Sequence, residues 1–349
     1  MSAQAAAAAR WMAEIAALSG RLGRRVVLDE SVLTSRAELL QLAAPGVWSA
    51  NRSCRLVAAA DGWIAVNLPR PSDLESVPAW IGGETDAPPW PAILRAARLR
   101  PADDMVEDGQ RLGLAVARVG SAPPARGIAT RRMAPGGLSR GRWPAAPPLV
   151  MDLSSLWAGP LCGRLLAATG ARVIKVESRS RPDAMQASSA AFFHSLNAGK
   201  ERLTLDFAAP ADLEHLRGLI ARADAVITSA RPRAFEQLGL TPEAAFAANP
   251  RLVWVAVTGY GWSGPDRHRV AFGDDAAAAA GLVRWTRAGR PRFAGDALAD
   301  PLTGLAAAAA VLAAMGQGGG VLVDAALTHA AAAAAAVRQD LPVLFTEAA

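Results

Sequence analysis

The second half of the chain alternates between short apolar runs and helix-forming segments. This alternation constrains the fold most, because strands that are separated by helices usually pair in parallel. Such a sheet carries helices on both faces, so its strands are continuous apolar runs. We predict strands over 149–153, 172–177, 203–206, 225–227 and 252–258, with helices over 161–169, 210–222, 234–238 and 242–248. The sequence therefore predicts an α/β fold, a Rossmann-like parallel sheet with flanking helices.

The first half has a different pattern, and a segment rich in Pro, Gly and Arg separates it from the second. Two short strands around Asp61-Gly62 predict a hairpin, which helices over 73–81, 90–99 and 101–112 and a strand over 113–119 follow. The proline pairs and glycines between 120 and 148 exclude a regular helix or an inner strand there. We predict a smaller α+β domain over 1–120, a linker over 121–147 and the Rossmann-like domain over 148–349.

Charge and cysteine content argue against several classes of protein. The net charge of +6 and the pI of 10.4 would suit a nucleic-acid-binding protein. The arginines are scattered singly, however, and no basic run is interleaved with aromatic residues, so we expect no nucleic-acid partner. The positive field also suits a polyphosphate ligand. Cys54 and Cys162 are far apart, which argues against a disulfide scaffold and a zinc site, and we expect no metal.

The sequence shows no targeting or membrane segment. Residues 1–21 form an Ala-rich stretch that Arg10 and Glu14 interrupt, without the basic start and apolar core of a secretory signal. No window approaches the roughly 18 uninterrupted apolar residues of a membrane-spanning helix. We expect a cytoplasmic protein without a membrane partner.

Short motifs in the second half follow one another in an order that one enzyme family shares. They are Val150-Met-Asp-Leu-Ser-Ser-Leu-Trp-Ala-Gly-Pro160, Gly170-Ala-Arg-Val-Ile-Lys-Val-Glu177, Leu196-Asn-Ala-Gly-Lys200, Leu203-Thr-Leu-Asp206, Ala223-Asp-Ala-Val-Ile227, Arg231-Pro232, Asn249-Pro-Arg-Leu-Val253, Gly259-Tyr-Gly-Trp-Ser-Gly-Pro265 and Ala299-Asp-Pro-Leu-Thr-Gly304. In these motifs the chain resembles the CoA-transferase class III family, the superfamily of carnitine CoA-transferase, formyl-CoA transferase and acyl-CoA racemases. The resemblance covers about residues 148–330.

Part of the first half also resembles this family. Asp61-Gly-Trp-Ile-Ala-Val66 and Leu112-Gly-Leu-Ala-Val-Ala-Arg-Val119 look like the family's small domain. In ordinary members that domain follows the Rossmann-like part, whereas here it precedes it. The order resembles that of a permuted chain or of one trimmed from a longer tandem form.

The resemblance implies that Asp300 is the catalytic residue. In the family an Asp at this position attacks the thioester carbonyl to give an aspartyl anhydride, and the released CoA thiolate then forms a thioester with the enzyme. An Asp is ionised at neutral pH without a partner base. Asp-Pro before an Ala-rich helix also suits an N-cap followed by Pro at the first helical position, and one residue can have both roles.

A second acidic motif, Gly273-Asp-Asp275, stands where the racemase branch of the family resembles Gly-His-Asp. In that branch the His works with an Asp as a proton-transferring pair. Here Asp274 occupies the His position, so the pair is broken. His268 is near in sequence and is an alternative partner, although a solvated loop residue is the simpler interpretation.

The resemblance also implies the residues that contact coenzyme A. Loop 155–160 corresponds to the family's region for the CoA phosphates and pantetheine, with a simple strand-to-helix turn as the alternative. We predict Leu156, Ala158, Arg179, Leu205 and Arg231 as CoA-binding residues. Arg179 follows a predicted strand and is equally compatible with a solvated surface position.

The glycine-rich run at 316–320 does not resemble a phosphate loop, because it follows a helix and lacks the Lys-Ser/Thr of that motif. It also does not match the glycine-rich flap that transferases of the family close over the catalytic Asp. A missing flap would leave an anhydride open to water.

Three functional hypotheses follow. The first is a CoA-transferase that moves coenzyme A between carboxylic acids through an aspartyl-acyl anhydride and an aspartyl-CoA thioester. The second is an acyl-CoA racemase or isomerase, and the third is a non-catalytic CoA-thioester-binding protein or one subunit of a heteromer. In each, acyl-CoA is a substrate or ligand and no cofactor is bound permanently. Since family members interlock as homodimers, we expect a homodimer.

Overall fold

The computed structural model describes residues 2–21, 24–83, 88–125, 127–134 and 147–337. In chain order the helices are α1 (Ala3–Arg21), α2 (Ser35–Leu39), α3 (Pro71–Glu75), α4 (Val77–Ile81), α5 (Pro89–Leu99), α6 (Ala102–Arg111), α7 (Ala158–Ala168), α8 (Met185–Ser188), α9 (Ala190–Asn197), α10 (Pro210–Ile220), α11 (Pro232–Leu238), α12 (Pro242–Ala248), α13 (Gly273–Ala279), α14 (Ala299–Gly316) and α15 (Leu327–Ala336). The strands are β1 (Cys54–Ala59), β2 (Gly62–Asn67), β3 (Ala115–Arg118), β4 (Ala129–Arg132), β5 (Leu149–Leu153), β6 (Arg172–Ser178), β7 (Glu201–Leu205), β8 (Ala225–Thr228), β9 (Val253–Thr258), β10 (Val283–Trp285), β11 (Pro291–Phe293) and β12 (Val321–Ala326).

The largest sheet has the strand order β4-β12-β9-β8-β5-β6-β7 among the described residues. All of its neighbouring strands are parallel except β4, which runs antiparallel to β12. Every residue of β8 is buried, as are five of the six in β9, because helices cover both faces of the sheet. The predicted α/β fold with a Rossmann-like parallel sheet is confirmed.

Helix α14 lies at the centre of the main hydrophobic core. It packs against α7, α1 and α15, and most of its residues are buried. Gly304 makes the approach to α7 possible, since a Cβ atom there would stand 2.8 Å from the Ala158 carbonyl oxygen. By length and composition α14 would also suit a membrane span, but 78% of it is buried inside this fold.

Helix α1 joins this core, together with Val26 and Leu33 from the segment that follows it. Ala8 and Ile15 are fully buried in the same cluster as Leu302 and Val311 of α14. The predicted domain 1–120 therefore contains a helix that is packed on the Rossmann-like part. Its Ala-rich composition provides the small side chains that two closely packed helices need.

The first half also forms a small antiparallel sheet of β1, β2 and β3, in the order β1-β2-β3. Trp80 and Met105 pack on one face of this sheet with Val57 and Val116. On the other face, Leu56 and other residues pack against α13 and the β10–β11 hairpin. The small sheet therefore lies directly against α13, the helix that begins with the second acidic motif.

The predicted linker contains one regular element. β4, within 121–147, pairs with β12 so that Thr130 is opposite Val323. All residues of β4 are exposed, and an edge strand of this kind needs partners on one side only. The Pro/Gly-rich pattern excluded only a regular helix or an inner strand here, and β4 is compatible with that prediction because it lies at the edge of the sheet. Residues 135–146 lie outside the described residues.

Candidate active site

The direction of strand addition reverses at β5, which lies between β6 and β8. In open parallel sheets, ligands bind at such a switch point, outside the carboxyl ends of the strands. The loop after β5 contacts the loop after β8 here, because the Ser155 N–H donates to Ser229 Oγ at 2.8 Å. Four of the predicted CoA-binding residues lie at this edge of the sheet: Leu156 after β5, Arg179 after β6, Leu205 at the end of β7 and Arg231 after β8.

The five predicted CoA-binding residues differ in exposure. Arg179 and Arg231 are exposed, and the Arg179 N–H donates to the Leu205 carbonyl at 2.8 Å. Leu205 is buried and Leu156 is half-buried. Ala158 is buried beneath α14 at the first position of α7. The structure therefore brings two exposed guanidinium groups to the switch-point edge, while Ala158 could offer a ligand only its backbone.

The loop after β5 has an unusual backbone. Leu156 has φ +70°, in the left-handed region that a branched side chain rarely adopts. Its N–H donates to both carboxylate oxygens of Asp183, at 3.2 and 3.1 Å. Lys175 also contacts Asp183, at 3.3 Å, and donates to the Ser154 carbonyl. The loop conformation is thus fixed by a buried ion pair behind it.

A second buried ion pair holds the other end of this loop. Lys200 Nζ donates to Asp152 Oδ2 at 2.7 Å and to the Pro160 carbonyl at 2.8 Å. Burial opposes the charge on Asp152, but Lys200 and Lys175 outweigh it and hold the pKa of Asp152 below its usual value. Gly163 leaves room for this pair, since a Cβ atom there would stand 2.7 Å from Asp152 Oδ2.

Asp300 is the second residue of α14 and is half-buried. It is not the N-cap, which is Leu298, so the capping interpretation of the Asp-Pro pair is wrong. The backbone N–H of Gly273, at the start of α13, is near the Asp300 carboxylate and favours its ionised form. A side chain at Gly273 would collide with this carboxylate and would stand 2.7 Å from Ala297 Cβ. The two helix N-termini therefore meet at Asp300, where their dipoles favour an anion.

The two other predicted acids lie on α13 and are buried. Asp274 Oδ1 accepts the Ala297 N–H at 2.9 Å. Asp275 Oδ1 accepts the Asn67 side-chain amide at 2.9 Å and the Phe272 N–H at 3.0 Å. Asn67 ends β2, so the small sheet contributes a side chain to the acid cluster. His268 is exposed and accepts a hydrogen bond from its neighbour Arg267 at 3.0 Å.

Two members of the cluster carried no signal in the sequence. Arg36 of α2 donates from Nε to Asp296 Oδ2 at 2.7 Å and from Nη2 to Asp296 Oδ1. The two residues are 260 positions apart, and both are buried. The guanidinium also lies over the ring of Trp157, at 5.0 Å from its centroid. Arg36 thus connects the acid cluster with the loop after β5.

The cluster has an unusual electrostatic character. Burial raises the pKa of Asp300 to about 7; Arg36 opposes this effect, and Asp275 and Asp296 add to it. Burial likewise raises the pKa of Asp274 and of Asp275 to about 7. Carboxyl groups with such pKa values are typical of catalytic sites, because they exchange between charge states near neutral pH.

The cluster suits covalent or proton-transfer chemistry better than metal binding. Within the described ranges, no group of three or more His, Cys, Asp or Glu side chains is arranged to hold a metal ion. A carboxylate at two helix N-termini, with backbone N–H groups nearby, can act as a nucleophile or proton acceptor. Cavities of about 560 Å³ beside Trp80 and about 280 Å³ beside Arg251 are lined by residues outside the acid cluster.

Residues 148–340 match the sequence model of CoA-transferase family III. A probable fatty acyl-CoA transferase of Mycobacterium tuberculosis, Rv3272, is 35% identical over 176 residues, which are 48% of this chain and 45% of the relative. The succinate–glutarate CoA-transferase of Agrobacterium fabrum is 32% identical over 188 residues, 48% of this chain and 47% of the relative. The chain thus spans less than half the length of these curated relatives.

Solved structures of related proteins also match this chain over about half of its length. A CAIB/BAIF family protein from Brucella suis superposes with a TM-score of 0.50 and 31% identity, over 54% of this chain and 55% of that one. The structure of Rv3272 superposes with a TM-score of 0.52 and 32% identity, over 56% of this chain and 59% of that one. Both similarities concern about half of each molecule.

Proposed function

The chain belongs to CoA-transferase family III, and from this premise we propose that it moves coenzyme A between carboxylic acids with Asp300 as the nucleophile. The observation that carries the proposal is the Asp300 carboxyl itself. It is half-buried, near the Gly273 N–H at the meeting of two helix N-termini, and connected through Arg36 and Trp157 to the loop after β5. With a pKa of about 7, it is partly ionised at neutral pH.

In the proposed reaction the ionised Asp300 attacks the thioester carbonyl of an acyl-CoA. The C–S bond breaks, the CoA thiolate leaves, and an acyl anhydride forms on Asp300. The thiolate then attacks the aspartyl carbonyl, which releases the first carboxylate and leaves an aspartyl-CoA thioester. A second carboxylate repeats the two steps in reverse order, so no net proton is required. The positive ends of the dipoles of α13 and α14 would stabilise the developing oxyanions.

Coenzyme A would lie along the carboxyl edge of the sheet. Arg179 and Arg231 are exposed there and suit the phosphates, since one guanidinium group can donate two parallel hydrogen bonds to the oxygens of a phosphate. The loop at Leu156 and Ala158, with Leu205 nearby, would contact the pantetheine arm. The curated relatives include succinate–glutarate and formyl-CoA:oxalate CoA-transferases, which favours small carboxylic acids as substrates here.

Covalent trapping tests this proposal. The protein is incubated with succinyl-CoA and with other short acyl-CoA esters, and hydroxylamine or borohydride then traps the intermediate. We expect a mass change on the peptide that contains Asp300, and we expect Asp300→Asn to abolish both the mark and the turnover. Glu214→Gln, an exposed acid on α10, is the matched control and should behave as wild type. Full turnover by the Asp300 variant would refute the nucleophile.

An acyl-CoA racemase is the second candidate, because Asp274 has a pKa raised to about 7 and is electrostatically coupled to Asp300. Two such carboxyls could pass a proton to and from an α-carbon. We expect no such exchange, since Asp274 accepts the Ala297 N–H and is buried. Deuterium uptake by a 2-methylacyl-CoA in heavy water would reverse this ranking if Asp274→Asn abolished the uptake.

A non-catalytic CoA-thioester-binding protein, or one subunit of a heteromer, is the third candidate. The subunit alternative is supported by a relative that is named the beta subunit of a succinyl-CoA–L-malate CoA-transferase.

For the active enzyme we propose a cytoplasmic homodimer that needs no permanently bound cofactor. Light scattering would then give twice the mass of the 36.1 kDa chain.

A further inference from the structure

Arg36 reaches the acid cluster from a part of the chain outside the family-matched residues 148–340. It donates two hydrogen bonds to Asp296, and only Ala297, Leu298 and Ala299 separate Asp296 from Asp300. The same guanidinium stacks on Trp157, the residue that precedes α7. One side chain therefore fixes the turn into α14 relative to the loop after β5.

The turn that follows Asp296, the partner of Arg36, has a strained backbone. Ala297 has φ +41°, a left-handed conformation that is unfavourable for a residue with a Cβ atom. The conformation is held from both sides, because Asp274 accepts the Ala297 N–H and Arg36 binds the preceding Asp296. It also sets the direction of the first turn of α14, in which the Asp300 N–H donates to the Ala297 carbonyl at 2.9 Å.

The charges around Asp300 explain why a cation is needed. Asp275 and Asp296 each disfavour a negative charge on Asp300, and Asp300 in turn disfavours a charge on Asp274. Arg36 is the positive group among them, and it favours the ionised form of both Asp300 and Asp274. Without it, like charges and burial would together keep Asp300 protonated and unable to attack.

We propose that Arg36 is a positioning residue for the reaction, which holds the strained turn before α14 and supplies the positive charge in the acid cluster around Asp300. The inference rests on the proposed function, in which Asp300 is the nucleophile. Arg36 itself touches neither substrate nor reacting atoms in this arrangement. Its effect is exerted through Asp296 and through its charge.

The test is the pH profile of kcat/KM for Arg36→Met and Arg36→Lys. Removal of a nearby opposite charge raises a carboxyl pKa by about 1–3 units, so the acidic limb for Arg36→Met should shift upward by about that amount. A shift of 2 units lowers the ionised fraction at pH 7 by about 50-fold. Activity should therefore return as the pH rises, which a purely structural defect would not allow. Arg36→Lys should shift the limb less than Arg36→Met does, because the positive charge remains although the paired hydrogen bonds and the stacking on Trp157 are lost.

The matched control is Arg202→Met. Arg202 also pairs with a carboxylate, Glu177 at 2.7 Å, and stacks on an aromatic ring, that of Phe193 at 5.3 Å. Arg202→Met should leave the acidic limb of the pH profile of kcat/KM unchanged. If Arg36→Met does not fold, Ala297→Gly is added, since glycine adopts the positive φ without strain. The double variant should fold and should still show the shifted limb.

A second measurement does not depend on catalysis. A carbodiimide with an amine labels protonated carboxyls, and peptide mass spectrometry follows the labelling of Asp300 against pH. We expect the midpoint for Arg36→Met to move upward as the kinetic limb does. If the wild type transfers no CoA but the midpoint shifts, the proposed function fails, while the electrostatic effect of Arg36 on Asp300 stands. Coincident wild-type and variant midpoints would overturn the inference.

Discussion

Replacement of Gly273 by Ala tests the geometry of the candidate active site most directly. Gly273 is the first residue of α13, and its backbone N–H is near the Asp300 carboxylate and favours its ionised form. An added methyl group would stand 2.7 Å from Ala297 Cβ and would also collide with Asp300 Oδ2. Ordinary contacts between carbon atoms are about 3.5–4.0 Å long, so the two helix starts must separate by about 1 Å.

Both activity and stability should fall as a result. A displacement of about 1 Å at a reacting group can lower kcat/KM by about 100-fold. Overpacking of a well-packed region typically costs about 1–3 kcal/mol of unfolding free energy. We therefore expect both losses in Gly273→Ala, measured by CoA-transfer kinetics and by urea unfolding.

Gly218→Ala is the control for the same chemical change. Gly218 lies within α10, and its nearest neighbour would be the flexible Arg222 guanidinium at 3.7 Å. Alanine is favoured over glycine inside a helix by about 0.5–1 kcal/mol, so this variant should be more stable than wild type and fully active. Wild-type stability and kcat/KM in Gly273→Ala would refute the close approach of the two helices at Asp300.

Two further predictions concern buried charges. Lys200→Met leaves Asp152 buried without its partner, so the free energy of unfolding in urea should fall by about 3–5 kcal/mol. Adding Asp152→Asn should recover more than half of this loss. An unchanged unfolding midpoint in Lys200→Met would contradict the buried ion pair. Burial raises the pKa of Asp275 to about 7 from an unfolded value near 4, so between these pH values the folded state binds more protons. The unfolding free energy should therefore fall as the pH rises from about 4 to about 7, and it should fall less steeply in Asp275→Asn; parallel pH curves for the two proteins would argue against the raised pKa.

The sheet was predictable from sequence because its strands are local patterns. Apolar runs at 149–153 and 225–227 correspond closely to β5 and β8, since a strand buried on both faces cannot alternate. β4 was not predictable in this way. Its pairing with β12 joins residues nearly 200 positions apart, and its exposed side chains carry no periodic signal.

The candidate site was predictable only in part, for a related reason. The motif around Asp300 indicated that residue, and the Gly273-Asp-Asp275 motif indicated two more acids, whereas their position at the start of α13 is known only from the structure. Arg36 is one of many single arginines along the sequence. Its role follows from a pairing across 260 residues, and no local pattern encodes such a contact.

The burial of the lysines has a consequence for a protein that would handle reactive acyl groups. Thioesters and anhydrides acylate free amines. A lysine at the surface becomes such an amine when its ammonium group loses a proton. Lys175 and Lys200 are the lysines of this chain, and their side chains are 1% and 0% exposed, with both ammonium groups bound to carboxylates. Positive charge at the surface is therefore carried by guanidinium groups, which stay protonated and are poor nucleophiles at neutral pH. Such a surface would resist acylation by the acyl-CoA substrates that we propose.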